Sequence, residues 1–225
     1  MNSYKFGSSP KANKNCIVQG DKYRFTLLSD RLIRYEWAPD GKFEDRASTF
    51  AINRSFHPPK FSVKEKDDGL EIITDHFHLD YDRKYFSPSG LSASFSAKVT
   101  LWGAQWRYGE EEEEKQKGNL GGTARTLDEV NGRCSMGRGV CSTVGYAVID
   151  DSTSMLFDGD GFVTGRRPAG ENGEKRIDGY LFGYAHDYRA AVKAFYQVSG
   201  SQPLLPRYSL GNWWSVRSHM ICITS

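Results

Sequence analysis

The stretch that decides the fold is "FSVKEKDDGLEIITDHFHLDYD", residues 61–82. Two β-type runs, 61–66 and 70–74, flank the polar tripeptide Asp-Asp-Gly at 67–69. An Asp-Gly dipeptide supplies the positive φ angles of a tight hairpin turn, so the two runs are predicted to pair as antiparallel strands. In the third run, 77–81, apolar residues alternate with polar ones, which is typical of a strand with one buried face. The stretch therefore predicts a series of antiparallel strands.

The same pattern recurs on both sides of this stretch. Upstream, the runs 23–28 and 32–37 are joined by the turn-forming residues Ser29-Asp30-Arg31, which predicts another hairpin. Further strands are predicted at 91–95, 99–101, 146–150, 154–157 and 180–184. Strands at this spacing, with little helical periodicity before residue 186, favour an antiparallel β-sandwich.

One helix is predicted, in "DYRAAVKAFYQVSG", residues 187–200. Asp187 is a suitable N-cap, Gly200 is a suitable terminator, and apolar side chains recur on one helical face. The chain is therefore predicted to be mainly β, with a single C-terminal helix.

The composition excludes some classes of partner. The 225 residues include 30 Lys and Arg against 28 Asp and Glu, and no basic stripe is present, so nucleic-acid binding is not expected. No run approaches the ~18 apolar residues of a membrane span, and the N-terminus lacks the apolar core of a secretory signal. We therefore expect no membrane association and a cytoplasmic location. The four cysteines lack a Cys-x-x-Cys pair, which favours reduced thiols over zinc or disulfides, although Cys134 and Cys141 could close a small loop.

The carboxylates do not form an evident catalytic pair. Asp150 and Asp151 are adjacent, so on a strand their side chains would point to opposite faces. Asp158 and Asp160 flank a glycine, a pattern that is more typical of a turn than of a functional site. A calcium loop would need further oxygen ligands at regular spacing. We therefore predict no catalytic residue from these positions.

Histidine and tryptophan also have structural interpretations. His76 and His78 could hold a metal or act with a carboxylate in anomer interconversion, but two histidines without a third ligand favour a surface pair. Trp102 and Trp106 could stack on sugar rings, yet core packing is the favoured interpretation. We predict no metal site and no cofactor.

Several motifs occur together and in a fixed order. They are "NLGGTARTLDEVNG" (119–132), "GYAVIDDSTSMLFDGDGFV" (145–163) and "QPLLPRYSLGNWWS" (202–215), supported by "DRLIRYEWAPDGKFEDRAST" (30–49) and "FSPSGL" (86–91). In combination the chain resembles glycoside hydrolase family 31, especially its α-glucosidase-like members. The resemblance covers approximately residues 16–215.

This resemblance implies a sandwich similar to galactose mutarotases, followed by a (β/α)8 barrel that hydrolyses α-glycosidic bonds with retention. The resemblance also implies that the two catalytic Asp residues come from later barrel strands, which would lie beyond Ser225. The expected organisation is a disordered N-terminus (1–15), a sandwich (16–185), a helix and linker (186–205), and the truncated start of the barrel (206–225). We expect such a fragment to be inactive alone and to self-associate through its exposed C-terminal strand.

Candidate substrate-binding residues follow from the same resemblance. They are Thr143, in the loop "GVCSTVGY" (139–146), and the aromatic pair Trp213 and Trp214. The expected partner of the complete protein is an α-linked glucoside or oligosaccharide, with α-glucosidase and α-xylosidase specificity left open. A plain interdomain loop is the alternative interpretation for Thr143.

Three hypotheses follow, in this order. The first is the inactive N-terminal part of a retaining α-glucosidase. The second is a non-catalytic sugar-binding or interaction module, which predicts sugar affinity without turnover. The third is a stand-alone epimerase that uses His and carboxylate side chains.

Overall fold

The computed structural model describes residues 7–96, 104–110, 118–122, 131–134, 136–158, 162–170, 173–202, 204 and 207. Within this part of the chain, two five-stranded antiparallel sheets form a β-sandwich, which confirms the predicted fold class. In spatial order, the first sheet contains β1 (Ile17–Gln19), β2 (Tyr23–Ser29), β3 (Leu32–Trp37), β12 (Ile177–Phe182) and β9 (Ala147–Asp150). The second sheet contains β4 (Ser62–Lys66), β5 (Gly69–Ile73), β6 (Phe77–Tyr81), β7 (Leu91–Phe95) and β8 (Ala104–Arg107).

The remaining elements are short. A two-stranded ribbon contains β10 (Leu156–Phe157) and β11 (Val163–Thr164), a 3-10 turn spans Lys14–Cys16, and helix α1 spans Tyr188–Ser199. Among the described residues, none of the helical segments has the length and apolar character needed to cross a membrane.

The main core lies between the two sheets. It follows from strand alternation, because every second side chain of a strand points to the same face. On β3, Ile33, Tyr35 and Trp37 face the second sheet, whose β6 contributes Leu79 and Tyr81. All of these side chains are buried. The main core therefore includes residues from both sheets.

Helix α1 covers one end of the outer face of the first sheet. Its buried residues Ala191 and Val198 belong to a second apolar cluster with Leu32 and Phe182 of that sheet. Asp187 is the N-cap, since its carboxylate accepts a hydrogen bond from the Ala190 amide at 3.1 Å. The helix ends before Gly200, which has a φ of +87°. The predicted helix and both of its boundaries are confirmed.

The stretch 61–82 forms β4, β5 and β6 as predicted, but the interpretation of its turn was wrong. Gly69 does not form the turn; it is the first residue of β5 and pairs with Lys66. Gly69 is not among the described residues with positive φ. A Cβ at this position would lie 2.4 Å from the carbonyl oxygen of Tyr81. Close approach of a neighbouring strand, rather than turn geometry, therefore explains this glycine.

The other strand predictions differ in accuracy. The hairpin of β2 and β3 and strand β7 occur where predicted, and β9 and β10 lie within their predicted runs. The run predicted at 180–184 overlaps β12, which spans Ile177–Phe182 and so begins three residues earlier than predicted. The predicted strand 99–101 lies outside the described residues. Strands β1, β8 and β11 were not predicted, because each has at most four residues.

Candidate functional site

Two loops that are distant in sequence pair side by side. We refer to residues 118–122 and 136–146 together as the Asn119 loop pair. The carboxamide oxygen of Asn119 accepts hydrogen bonds from the amides of Gly121 (2.9 Å) and Gly139 (3.0 Å), and its nitrogen donates to the Gly139 carbonyl (2.9 Å). An antiparallel bridge between Asn119 and Ser142 continues the pairing. The motifs "NLGG" and "GVCSTVGY" therefore form one structure.

The two loops approach so closely that glycine is required. A Cβ at Gly139 would lie 2.2 Å from the carbonyl oxygen of Gly121. Gly121 itself has a φ of +82°, a conformation that costs little only for glycine. The Gly122 amide donates to the Gly137 carbonyl at 2.5 Å. Backbone packing thus explains the glycine-rich character of this site.

Thr143 lies exposed on this loop pair. Its amide and its hydroxyl both donate to the Gly118 carbonyl, at 2.7 and 3.2 Å. The Thr143 carbonyl oxygen lies 3.0 Å from Nε2 of His186, which directly precedes the N-cap of α1. The amide of Ala185 donates to the carbonyl of Gly145 at 2.9 Å. The loop is therefore fixed against the start of α1, and the Thr143 hydroxyl keeps its capacity to accept hydrogen bonds.

Exposed apolar side chains accompany Thr143. Leu120 is 56% exposed and Met136 is 54% exposed. Met136 lies beside the residue that follows Leu120, because a Cβ at Gly121 would lie 3.1 Å from the Cβ of Met136. The loop pair therefore carries exposed apolar side chains as well as hydrogen-bonding groups.

The other predicted aromatic and acidic positions are only partly described. Trp106 is 2% exposed and belongs to the main core, which confirms the packing interpretation. Outside the described residues lie Trp102, Asp160, Trp213 and Trp214. Of the three predicted substrate-binding residues, the structure therefore places only Thr143.

Cys16, Cys134 and Cys141 form no disulfide with one another in the structure, so Cys134 and Cys141 do not close a loop. Burial raises the pKa of the Cys16 and Cys141 thiols. The Cys141 sulfur lies 3.7 Å from the carbonyl oxygen of Tyr188, in the first turn of α1. Cys141 is thus a further contact between the Asn119 loop pair and the helix.

Strands β2, β3 and β12 carry four charged side chains that are buried on the outer face of the first sheet. Glu36 on β3 lies directly opposite Asp178 on β12, which places two carboxylates side by side. Arg34 bridges them, because it donates to both oxygens of Asp178 at 2.7 and 2.8 Å and lies 3.0 Å from Glu36. Arg24 on β2 donates to Glu36 from the other side, at 2.6 and 3.0 Å. Each carboxylate is therefore compensated by at least one guanidinium.

The buried network extends to Asp151. Arg166 donates to Asp178 at 2.7 Å and to Asp151 at 2.9 Å, and the Ser48 hydroxyl donates to Asp151 at 2.7 Å. Burial is the main cause that raises the pKa of Asp151, and the negative charge of Asp178 is the second. Burial also acts to raise the pKa of Asp178, but the charge and hydrogen bonds of Arg34 outweigh it and hold this pKa well below its ordinary value.

Among the described residues, three pairs of carboxyl groups lie close together, and none has the arrangement that retaining glycoside hydrolysis requires. That reaction needs two carboxyl groups about 5 Å apart with a sugar between them. Asp178 pairs with Glu36 and with Asp151, and all three are at most 3% exposed, which leaves no room for a sugar. Glu71 and Asp80 lie opposite each other in the second sheet, but the Lys66 ammonium contacts both, at 2.6 and 3.0 Å. The hydrogen bond from Lys66 lowers the pKa of Glu71, whereas a general acid needs a raised pKa.

His76 and His78 do not converge on one site. Nε2 of His76 lies 3.1 Å from Asp30, whereas Nε2 of His78 lies 3.4 Å from Glu71. Within the part of the chain that the structure describes, no group of three or more potential metal ligands is assembled. The His78–Glu71 pair could suggest an epimerase, but the lowered pKa of Glu71 makes this carboxylate a weak base.

The remaining candidate acids have the structural roles expected from the sequence. Asp150 is exposed while Asp151 is fully buried, so the adjacent side chains point in opposite directions. Asp158 accepts a hydrogen bond from the amide of Phe162 at 2.8 Å, between β10 and β11. These positions contribute to the fold rather than to a site.

The buried charge network was not predicted from the sequence. In "RLIRYEW", Arg34 and Glu36 alternate with apolar residues, a pattern that predicts a solvent-exposed face. In the structure, the carbonyl oxygen of Glu44 accepts hydrogen bonds from both Arg24 and Arg34, so the loop after β3 covers this face. Opposite charges two residues apart on a strand were the signal that could have indicated pairing.

Comparisons with known proteins give the following similarities. No protein-family profile matches this sequence, and no curated protein matches it. A glycoside hydrolase family 31 dextranase from Flavobacterium johnsoniae, solved with glucose, shows 13% identity and a TM-score of 0.48 over 85% of this chain and 27% of its own. A mutant of that enzyme solved with isomaltotriose gives the same values.

A family 31 α-xylosidase from Xanthomonas citri is similar over 38% of this chain and 9% of its own, with 18% identity and a TM-score of 0.29. The chain thus spans about a quarter of the dextranase and less of the xylosidase. Similarities at these values do not establish a shared activity.

Proposed function

We propose that this chain is the N-terminal carbohydrate-associated sandwich of a retaining α-glucosidase-type glycoside hydrolase of family 31. In this proposal, the complete enzyme hydrolyses an α-linked glucoside or oligosaccharide. The sandwich itself is not catalytic, and its Asn119 loop pair contacts the sugar.

The observation that carries the proposal is the construction of the Asn119 loop pair. A motif of the family resemblance, 119–132, and the loop 139–146 are separated in sequence, yet Asn119 joins them through its hydrogen bonds to Gly139. Together they present the exposed side chains of Thr143, Leu120 and Met136 on a rigid backbone. Such a surface offers a hydroxyl for hydrogen bonding and apolar contacts for the carbon face of a sugar.

The chemistry of the described carboxylates supports a non-catalytic role. Asp151 and Asp178 are buried and compensated by Arg166, and Glu71 and Asp80 are both bound to Lys66. None of these groups is placed to protonate a glycosidic oxygen. The described carboxylates thus favour binding over turnover by this chain.

The proposal is tested by titrating the 15N-labelled chain with maltotriose and isomaltotriose. We expect shifts of the Gly121 and Thr143 amide resonances and no release of glucose over hours. Replacement Thr143→Val should weaken binding at these resonances about fivefold, since a hydrogen bond contributes on the order of 1 kcal/mol. Thr143→Ser should retain the affinity, because it keeps the hydroxyl.

A matched control is Thr153→Val, at an exposed threonine outside the loop pair, which should leave the affinity unchanged. If the Gly121 and Thr143 resonances do not respond to either sugar, the loop pair does not contact carbohydrate. If the purified chain releases glucose, the non-catalytic assignment is wrong.

A further inference from the structure

A groove lies at the end of the first sheet opposite to the Asn119 loop pair. Strand β12 runs from Ile177, which pairs with Trp37, to Phe182, close to the start of α1. At about 3.4 Å per residue, the two ends of this strand are about 17 Å apart. At the Trp37 end, two depressions of about 520 and 420 Å³ meet at Lys22. We call them together the Lys22 groove; each is in the size range of small-molecule sites, ~300–1,000 Å³.

Charged side chains form the walls of this groove and hold one another in place. Arg176 contacts Asp40 at 2.5 Å, and this hydrogen bond is the main cause that lowers the pKa of Asp40 to about 2. The Glu174 carboxylate accepts hydrogen bonds from the Lys22 ammonium at 3.3 Å and from the indole N–H of Trp37 at 3.2 Å. The walls therefore present hydrogen-bond acceptors and donors that already contact one another.

Apolar surfaces complete the groove. Pro39 and Pro168 line the larger depression, and the rings of Tyr23 and Trp37 line the smaller one. The Lys22 ammonium lies 5.9 Å from the centre of the Trp37 ring. A ligand in this groove therefore contacts rigid apolar faces between polar rims.

The balance of charge selects the class of ligand. Among the described residues that line the groove, the basic ones are Lys22, Arg83, Arg167 and Arg176, and the acidic ones are Asp21, Asp40 and Glu174. Since acids nearly balance bases and Asp40 and Glu174 are already paired, an anion or a cation gains little here. A neutral polyol can use donors and acceptors of both signs, and its carbon faces can lie on the rings.

We propose that the Lys22 groove is a second carbohydrate-binding site, which takes a neutral oligosaccharide. The groove is formed by residues separate from the Asn119 loop pair, so its binding does not depend on the proposed function of that pair.

A substitution at Arg83 can test the proposal without destabilising the chain. It lines the smaller depression and has a φ of +61°, which is unfavourable for any residue with a Cβ. Replacement Arg83→Gly relieves this strain, while it removes one wall of the groove and a contact to the exposed Glu65. The variant should therefore fold at least as stably as the original chain but bind sugar more weakly.

The experiment is a titration of the 15N-labelled chain with isomaltotriose, read from the amide resonances of Gly20 and Gly170. We expect both resonances to shift, and Arg83→Gly and Glu174→Gln each to weaken this binding by about tenfold. Replacement Lys84→Gly, at the exposed neighbour, is the matched control and should leave the affinity unchanged. Urea unfolding verifies that each variant is folded.

Several outcomes would overturn the proposal. One is the absence of shifts at Gly20 and Gly170; another is an unchanged affinity in a folded Arg83→Gly chain. Binding of sulfated maltose in place of the neutral sugar would identify an anion site instead. Failure of the proposed function is distinguishable, because it would be seen at Gly121 and Thr143 while Gly20 and Gly170 still respond.

Discussion

At the scale of single residues, Arg34 allows two carboxylates to lie side by side in the interior. Glu36 and Asp178 are opposite each other in adjacent strands, and Arg34 offsets their repulsion because it contacts both, with Arg24 and Arg166 each contacting one of them. Buried ion pairs add little net stability over apolar packing, but removal of one partner leaves an uncompensated charge. The network is thus most sensitive to the loss of a single member.

Replacement Asp178→Asn should lower the free energy of unfolding by about 3–5 kcal/mol at pH 7, because Arg34 and Arg166 lose their shared carboxylate. Urea denaturation followed by circular dichroism measures this difference. Asp80→Asn, at an exposed pair with Lys66, is the control and should cost less than about 1 kcal/mol. A loss below 1 kcal/mol for Asp178→Asn would contradict the role assigned to the network.

The same variant has a defined pH dependence. The pKa of Asp178 is lower in the folded chain than its ordinary value of 3.8, so the ionised carboxylate stabilises the fold above about pH 4. This stabilisation is lost as the pH falls below that value. The difference between the original chain and Asp178→Asn should therefore decrease from pH 7 to pH 3. A difference that is constant over this range would exclude a charge effect.

Residue-level features were the least predictable from the sequence. The run 32–37 was correctly predicted as a strand, but nothing in its sequence indicated that Arg34 is buried as well as Ile33 and Trp37. The cover over Arg34 comes from a loop without periodicity, which sequence patterns do not place in space. Likewise, Gly69 was assigned to a turn, whereas the carbonyl of Tyr81 in a neighbouring strand is what requires it.

At the scale of elements, helix α1 was the most accurately predicted. Its two ends are determined locally, by the Asp187 carboxylate and by Gly200. The Asn119 loop pair is the opposite case, since its shape depends on the contact of Asn119 with Gly139, 20 residues further along the chain. The sequence identified both of its motifs but did not indicate that Asn119 joins them.

Replacement Asp187→Ala should destabilise the chain by about 1 kcal/mol, because the amide of Ala190 loses its hydrogen-bond acceptor. Asp187→Asn retains a capping oxygen and should stay close to the original stability. Thermal and urea unfolding of the two variants, compared in the same buffer, measure the difference. Equal stabilities for the two would show that the cap does not contribute.

At the scale of the whole molecule, the two sheets depend on one core. Leu79, on β6, is fully buried in a cluster that includes Ile33 and Trp37 of the first sheet. Neither sheet by itself can shield these apolar side chains from water. We therefore expect the sandwich to unfold as a single cooperative unit.

Replacement Leu79→Ala should cost about 2–5 kcal/mol through the cavity that it leaves. The unfolding midpoints measured by circular dichroism and by tryptophan fluorescence should decrease by the same amount. Val63→Ala, at a side chain that is 37% exposed on β4, is the control and should change stability by less than about 0.5 kcal/mol. Two separated transitions would mean that the sheets unfold independently.

The fold class was predictable because alternation and turn chemistry act locally along most of the chain. The assignment of strands to two sheets was not, since β12 lies between β3 and β9 in space. Only Thr143 of the predicted substrate-binding residues lies in the described part of the chain, and the Lys22 groove was not predicted at all. Its walls come from distant segments around Asp40 and Glu174.

The strand order also has a consequence for synthesis on the ribosome. Strands β4 to β8 are neighbours in both sequence and space, so the second sheet can begin to assemble while translation continues. The first sheet cannot be completed in this way, because β3 ends at Trp37 and its partner β12 begins only at Ile177. During translation of the intervening residues, β3 lacks its β12 neighbour, and Arg34 lacks Asp178. A nascent chain paused before residue 177 should therefore be a stronger client of chaperones than one paused after residue 200.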